Sequence, residues 1–295
     1  MLTQREFDVL VAISEQKEIK SQKDMADELN MSVSTFGKYS KLLNENGFVC
    51  NKSITQKGFE ALEPYRVKRA IIMAAGFGSR LVPVTLNTPK PLVRVKGTRI
   101  IDSIIDAILK AGIEEIYVIR GYLSEQFDQL LYKYPMIKFI ENPLYNEANN
   151  IMSIACAGTL IKNAYICEGD LLISNPKIIK KYQYRSNYLA IPMKRTDDWC
   201  FHTDNGVIKK VGIGGIDCHQ VVGISYWTEY DGARIVGHIK EVLQMPGGKE
   251  RLWGQIPLVT HASEYTVTIR ECKLEDVVEI DTFKELKAID PVYDV

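Results

Sequence analysis

Arg69-Ala-Ile-Ile-Met-Ala-Ala-Gly76-Phe77-Gly78-Ser79-Arg80-Leu81 joins a continuous apolar run to a loop that carries two glycines and an arginine. An unbroken apolar run of this length fits a strand buried on both faces, as in a parallel sheet covered by helices. The glycines let backbone amides approach phosphate oxygens with no Cβ in the way. Thr85, Thr88 and Pro89-Lys90-Pro91-Leu92 follow, so Arg80 and Lys90 place two cations on one loop, a combination suited to a triphosphate. The dinucleotide fingerprint is excluded because Leu81 stands where its third glycine is needed. The Walker A loop is excluded because the Gly-Lys-Ser/Thr ending is missing.

Working outward, residues 100–111 form an amphipathic helix pattern with Ile101, Ile104, Ile105 and Ile108 as its stripe. Residues 115–121 read as a strand, 123–132 as a helix and 137–142 as a third strand. Tyr165-Ile-Cys-Glu-Gly-Asp170 reads as a buried strand ending in acid. The alternation predicts an α/β domain over residues 67–295 with a Rossmann-like, mainly parallel sheet. Ligands of such sheets sit at the carboxyl ends of the strands, where the Gly76 loop lies.

The whole string, with an arginine two residues after the second glycine and Pro-Lys-Pro-Leu beyond it, resembles the signature of nucleotidyltransferases that activate sugar phosphates and alcohol phosphates. On that resemblance Ala74, Ala75, Gly76, Gly78, Ser79 and Arg80 hold the nucleotide, with Lys90 and Arg80 catalytic. Asp170 matches the family's first metal aspartate, and Asp281, in Glu279-Ile280-Asp281-Thr282, matches its second. The implied cofactor is Mg²⁺, held with the triphosphate by strand-end carboxylates. Where many cytidylyltransferases of this group have Asp-x-Asp, this chain has Glu168-Gly169-Asp170, which leaves the role of Glu168 open. Asp281 is also placed to cap a helix over residues 283–289.

Closer matches resemble bacterial CTP:phosphocholine cytidylyltransferases. Tyr145-Asn-Glu-Ala-Asn149-Asn150-Ile-Met-Ser153 is similar to their Asn-Asn-x-x-Ser segment, which implies base contacts by Asn149, Asn150 and Ser153; Asn150 as a simple helix cap is the other reading. Asp197-Asp198-Trp199-Cys200-Phe201, Gly223-Ile224-Ser225-Tyr226-Trp227 and Leu252-Trp253-Gly254 resemble their acceptor segments. The implied acceptor contacts are Asp198, Trp199, Tyr226 and Trp253, with Trp199 and Trp253 as an aromatic cage for a quaternary ammonium. The other reading makes the three tryptophans core residues. Gly254 stands where those enzymes carry an acid, so 2-aminoethylphosphonate and phosphoethanolamine compete with phosphocholine as acceptor, beside sugar-1-phosphates. Lys194 stands where the wider family binds the acceptor phosphate. The reaction so implied is CMP transfer from CTP to phosphocholine, giving CDP-choline and pyrophosphate. It proceeds by in-line attack of the acceptor's oxygen on the α-phosphorus and needs no Ser-His-Asp set.

Residues 1–66 read differently. Thr3 and Glu6 have capping-box spacing ahead of an apolar helical stripe. A second short helix begins at Ser21, a third at Ser32 or Ser34, and Phe48-Val-Cys50 with Ser53-Ile-Thr55 reads as a hairpin. Three helices and a two-stranded wing resemble the winged helix-turn-helix of MarR-like regulators, which implies DNA contacts by Ser32, Ser34, Thr35, Lys38 and Lys41 on the third helix. The segment holds nine Lys or Arg and ten Asp or Glu, whereas a DNA-binding domain carries a basic footprint. A module for dimerisation or for covering the enzyme is the alternative, and a DNA-binding regulator with a sensor domain is the alternative for the whole chain.

Composition sets the outer bounds. Of 295 residues, 46% are hydrophobic and 25% charged, which excludes a disordered or collagen-like chain. Lys plus Arg and Asp plus Glu are 37 each, so net charge names no partner. Six cysteines form no CxxC pair, which argues against a zinc ribbon. With no secretory pattern and no apolar run of spanning length, a cytoplasmic location without membrane contact is expected. A homodimer is left open.

Overall fold

The computed structural model describes residues 1–16 and 18–294. Two compact units are present, Met1–Arg66 with Tyr182–Tyr184, and Val67–Lys181 with Arg185–Val295.

The first unit contains α1 (Gln4–Glu15), α2 (Gln22–Glu28), α3 (Val33–Glu45), the two-residue strands β1 (Val49–Cys50) and β2 (Ser53–Ile54), and α4 (Gln56–Leu62). Each helix starts on a hydroxyl cap. Thr3 and Glu6 complete a capping box, and Ser21, Ser32 and Thr55 accept from the third residue of α2, α3 and α4. Asn30, at φ 49°, breaks the chain between α2 and α3. Phe7, Leu10, Met25, Phe36, Leu43 and Val49 pack into this unit's own core.

The second unit is built on β3 (Arg69–Ala74), β4 (Arg94–Val95), β5 (Thr98–Arg99), α5 (Ile100–Lys110), β6 (Glu115–Arg120), β7 (Lys138–Glu141), α6 (Ile151–Ala157), β8 (Ala164–Glu168), β9 (Leu171–Ile173), β10 (Asn187–Asp204), β11 (Val207–Trp227), α7 (Glu229–Leu243), β12 (Thr268–Glu271), β13 (Val277–Glu279) and α8 (Phe283–Ile289). A seven-stranded sheet runs in the order β10-β12-β11-β8-β3-β6-β7. β3 pairs parallel with both β6 and β8, and β7 pairs parallel with β6, so the expected α/β architecture with a mostly parallel centre is present.

Alternation along the central strands divides two cores. Ala70, Ile72 and Ala74 of β3 join Tyr165 and Cys167 of β8 under the isoleucine stripe of α5. Ile71, Ala164 and Ile166 face the other way, toward α6 and α7. Every isoleucine of α5 that the sequence assigned to its stripe is fully buried.

Residues 124–132 are helical, as a 3₁₀ helix. One local expectation changes. The strand read across Asp170 is two strands, because β8 ends at Glu168 and β9 leaves the main sheet to pair antiparallel with β13. That pairing carries Glu279 and Asp281 back to the end of β8. Residues 187–227 form one long antiparallel ribbon. No described helix is long and apolar enough to cross a membrane.

Candidate active site

A cavity of about 720 Å³ opens at the carboxyl ends of β3 and β8. Its floor is the loop that follows β3. Gly78 adopts φ +63°, and a Cβ there would lie 2.8 Å from Lys90 Cβ and 3.1 Å from Thr85 Cγ2. Only glycine meets both demands, the left-handed backbone and the close approach. The Thr85 hydroxyl, itself buried, donates to the Gly78 carbonyl at 2.8 Å and closes the loop on itself. Ala74, Ala75, Gly76, Gly78, Ser79 and Arg80 all line the cavity.

Lys90 is the hub of the charged end. It is 8% exposed, and its Nζ donates to Asp170 Oδ2 at 2.7 Å and Asp281 Oδ1 at 3.0 Å. Burial works against the ammonium, but the two carboxylates outweigh it and hold the Lys90 pKa above its ordinary value. Arg80, largely exposed, donates to the same Asp281 oxygen at 2.9 Å. Asp281 does not cap α8. Thr282 does, in a capping box with Glu285, which leaves the Asp281 carboxylate to the two cations.

Glu168, Asp170 and Glu279 each bring a carboxylate oxygen within 4.8 Å of the others'. Burial, and then the Asp170 charge, push both Glu168 and Glu279 well above the usual carboxylate range. Asp170 Oδ1 is buried with no hydrogen-bond partner among the described residues. Three hard oxygen donors whose like charges repel one another, with one orphaned oxygen among them, fit a divalent cation such as Mg²⁺. Glu279 was not among the residues singled out from sequence. The signal available was its position two residues before Asp281, which a strand places on the same face. Gly223, at φ +47°, makes room for Glu168, since a Cβ there would meet Glu168 Oε2 at 2.8 Å.

The far wall is aromatic. Asn149, Asn150 and Ser153, at the start of α6, line it with Asp198, Trp199 and Trp253. Asn150 makes no helix-cap bond; its Oδ1 accepts from Trp253 N at 2.9 Å, and Asn149 Nδ2 donates to the Glu250 carbonyl at 3.2 Å. The asparagines therefore tie α6 to the segment that carries Trp253. Ser153 is buried and accepts from Asn142 Nδ2. Trp253 is only 4% exposed, stacked on Tyr188 and edge-on to Trp227, while Trp199 is half-buried at the rim beside the exposed Asp198.

Two expected acceptor contacts are corrected. Tyr226 is buried in the core on the α5 side of the sheet, where its hydroxyl donates to Asn163 Oδ1 at 3.0 Å. It does not line the cavity, because adjacent positions on β11 alternate faces and Trp227 takes the other side. Lys194 is exposed on β10 and does not line the cavity either. The register of β10 against β11 shifts between Thr196 and Trp199, so spacing along the ribbon does not report which side chains turn inward.

The expected DNA-contact residues lie at the start and along the outside of α3. Ser32 Oγ accepts from Thr35 N and lies within hydrogen-bond distance of Ser34 Oγ and Thr35 Oγ1. Lys38 and Lys41 are exposed, Lys41 in a long pair with Glu45 at 3.8 Å.

Residues 69–191 match the family described as nucleotidyl transferase. The chain is 38% identical over 228 residues to a 2-aminoethylphosphonate cytidylyltransferase of Lancefieldella rimae, spanning 76% of this chain and 92% of that protein. It is 28% identical over 219 residues to a choline-phosphate cytidylyltransferase of Haemophilus influenzae, spanning 73% and 93%. The solved structure of a CTP:phosphocholine cytidylyltransferase from Streptococcus pneumoniae superposes with TM-score 0.70 at 28% identity, over 77% of this chain and 99% of that one.

Proposed function

We propose that this chain, which belongs to the nucleotidyl transferase family and is a nucleotidyltransferase of the cytidylyltransferase type, transfers CMP from CTP to 2-aminoethylphosphonate. The observation that carries this reading is the greater identity to the 2-aminoethylphosphonate enzyme, 38% against 28% for the choline-phosphate enzyme over nearly equal lengths. It favours the aminoalkylphosphonate over the phosphocholine acceptor.

The acceptor wall supports the same choice. A quaternary ammonium is held by several aromatic faces, with a carboxylate close by. Here Trp253 packs on Tyr188 and Trp227, and Trp199 lies half-buried at the rim beside Asp198. Gly254 brings no acid, and a Cβ there would lie 3.0 Å from Tyr188 Oη. The exposed Asp198 carboxylate beside the Trp199 ring suits a primary ammonium, which also donates hydrogen bonds.

In this reading a phosphonate oxygen of the acceptor, already anionic, attacks the α-phosphorus of CTP. A P–O bond forms there as the bond to the β-phosphate oxygen breaks, and pyrophosphate leaves with its electron pair. Backbone amides of the Gly76–Gly78 loop cradle the phosphates, Lys90 neutralises charge at the reacting phosphate and Arg80 holds the departing pyrophosphate. Glu168, Asp170, Glu279 and Asp281 are the residues that would hold Mg²⁺, which when bound supplies charge neutralisation at the triphosphate. The test is kcat/KM with CTP and Mg²⁺ for 2-aminoethylphosphonate, phosphoethanolamine, phosphocholine and glucose-1-phosphate. A value at least tenfold higher for the phosphonate supports the reading; preference for phosphocholine overturns it.

For residues 1–66 we propose a winged helix-turn-helix, supported by the order α1-α2-α3-β1-β2-α4 and the capped start of α3. DNA binding through Ser32, Ser34, Thr35, Lys38 and Lys41 is tested by fluorescence anisotropy on random-sequence duplex. Binding that weakens in Lys38→Ala/Lys41→Ala supports it, and no binding at low salt overturns it.

A further inference from the structure

Tyr188 stands on β10 with its ring wedged among three others. It stacks on Trp253 at 6.2 Å and meets Phe201 and Trp227 edge-on at 5.3 Å and 5.9 Å. The residue is 5% exposed and lines the cavity together with Gly254. A Cβ at Gly254 would lie 3.0 Å from Tyr188 Oη, closer than ordinary contact. Gly254 does not adopt a positive φ, so the backbone does not call for glycine there. What a side chain at 254 would disturb is the hydroxyl. We propose that Tyr188 selects a primary ammonium: Gly254 leaves its hydroxyl open to the cavity, where Oη accepts a hydrogen bond from the acceptor's –NH₃⁺. This rests on the aminoalkylphosphonate reading above and names the residue that enforces it.

Neither side of the gap is free to move. The Tyr188 ring is locked by its aromatic neighbours. Next to Gly254, Trp253 N donates to Asn150 Oδ1 at 2.9 Å. Further along, the 252–265 segment is tied to α7, where His261 stacks on His238 with centroids 3.7 Å apart and Arg234 donates to Glu264. The opening before Oη is therefore part of the wall.

A primary ammonium carries three N–H donors and a quaternary one carries none. Against –NH₃⁺ the Tyr188 oxygen gains a charge-assisted bond. Against three methyl groups it loses water and gains no partner. A site built to accept from a substrate N–H rejects the analogue lacking it more strongly than an apolar pocket can. Burial first, then the Glu168 charge, push the Tyr188 pKa far above its ordinary value, with a hydrogen bond to Ser225 offsetting them in part. The phenol is thus a neutral hydroxyl, and Asp198 on the same wall supplies the opposite charge.

The test uses the full chain with CTP and Mg²⁺, and two acceptors, 2-aminoethylphosphonate and its N,N,N-trimethyl analogue. The natural chain is expected to prefer the primary amine at least tenfold in kcat/KM. Tyr188→Phe deletes one oxygen and keeps the ring. It is expected to raise KM for 2-aminoethylphosphonate about tenfold and to cut the preference over the trimethyl analogue by the same factor, with KM for CTP unchanged. A merely structural role would move both acceptors alike, so the ratio is diagnostic. Gly254→Ala, which covers Oη, is expected to lower the same ratio; circular dichroism checks the fold of both variants. A preference unchanged in Tyr188→Phe, with 2-aminoethylphosphonate a good substrate of the natural chain, overturns the Tyr188 assignment and leaves the acceptor reading standing. A natural chain that prefers the trimethyl analogue overturns both.

Discussion

Lys90 Nζ lies 2.7 Å from Asp170 Oδ2, joining the loop after β3 to the end of β8 across the floor of the cavity. The lysine stands between Asp170 and Asp281 and is nearly buried, so the acid cluster is held together by one internal cation.

Lys90→Met is therefore expected to lower kcat/KM for CMP transfer by about 10²–10³-fold, the usual cost of losing one preorganised charge donor. It is also expected to lower the melting temperature in Mg²⁺-free buffer, because Asp170 and Asp281 lose their shared partner. Asp170→Asn is expected to lose Mg²⁺-dependent turnover and keep its circular dichroism spectrum. Substantial turnover in Asp170→Asn counts against the assigned carboxylates.

Gly78→Ala tests the loop independently of any charge. The left-handed backbone costs an alanine ~1–2 kcal/mol, and the added methyl meets Lys90 Cβ at 2.8 Å. Reduced stability in urea unfolding is expected, with a rise in KM for CTP as Lys90 is displaced. Gly76→Ala, where a Cβ meets nothing within 4 Å, is the matched control and is expected to be milder.

The two cavity tryptophans are expected to separate. Trp199→Ala removes the half-buried ring at the rim and should raise the acceptor KM about two- to thirty-fold, the range of one cation–π contact, with little change in stability. Trp253→Ala empties a buried position against Tyr188 and Trp227 and should cost about 3–5 kcal/mol in unfolding free energy. Steady-state kinetics beside urea denaturation distinguishes the two.

The part of this site carried by local pattern was legible in the sequence. The β3 run, its glycine loop, Arg80 and Lys90 follow one another along the chain, and the strand period and loop chemistry read them together without long-range information, whereas Asp170 and Asp281 were singled out only by the family resemblance of their segments. Glu279 and Asp281 reach the site only because β13 pairs with β9, a contact more than a hundred residues apart in sequence. The acceptor wall was the least legible. Bulges in the β10–β11 ribbon break the period that would have separated inward Trp199 from outward Lys194, and Tyr226 and Trp227 both read as apolar while facing opposite cores. The His238–His261 stack has no local signature, since it is made by the packing of α7 against the 252–265 segment.

Stability is expected to depend on His238 in metal-free buffer. Burial first, then His261 and Arg234, lower its pKa in the folded chain, partly offset by Glu264 and Glu241. The unfolded chain then binds the proton more readily below ~6.5, so this contribution is present above that pH and is lost as pH falls through the folded value. Melting temperatures from pH 8 to pH 5 with chelator present should fall more steeply for the natural chain than for His238→Gln.

The most direct test of the account is ³¹P NMR of CTP, 2-aminoethylphosphonate and Mg²⁺ with the enzyme. The account predicts loss of the free phosphonate resonance, a new pair of coupled resonances from the phosphonate–phosphate anhydride, and pyrophosphate in equal amount. CTP and phosphonate left unchanged, under conditions where phosphocholine is converted, would contradict it.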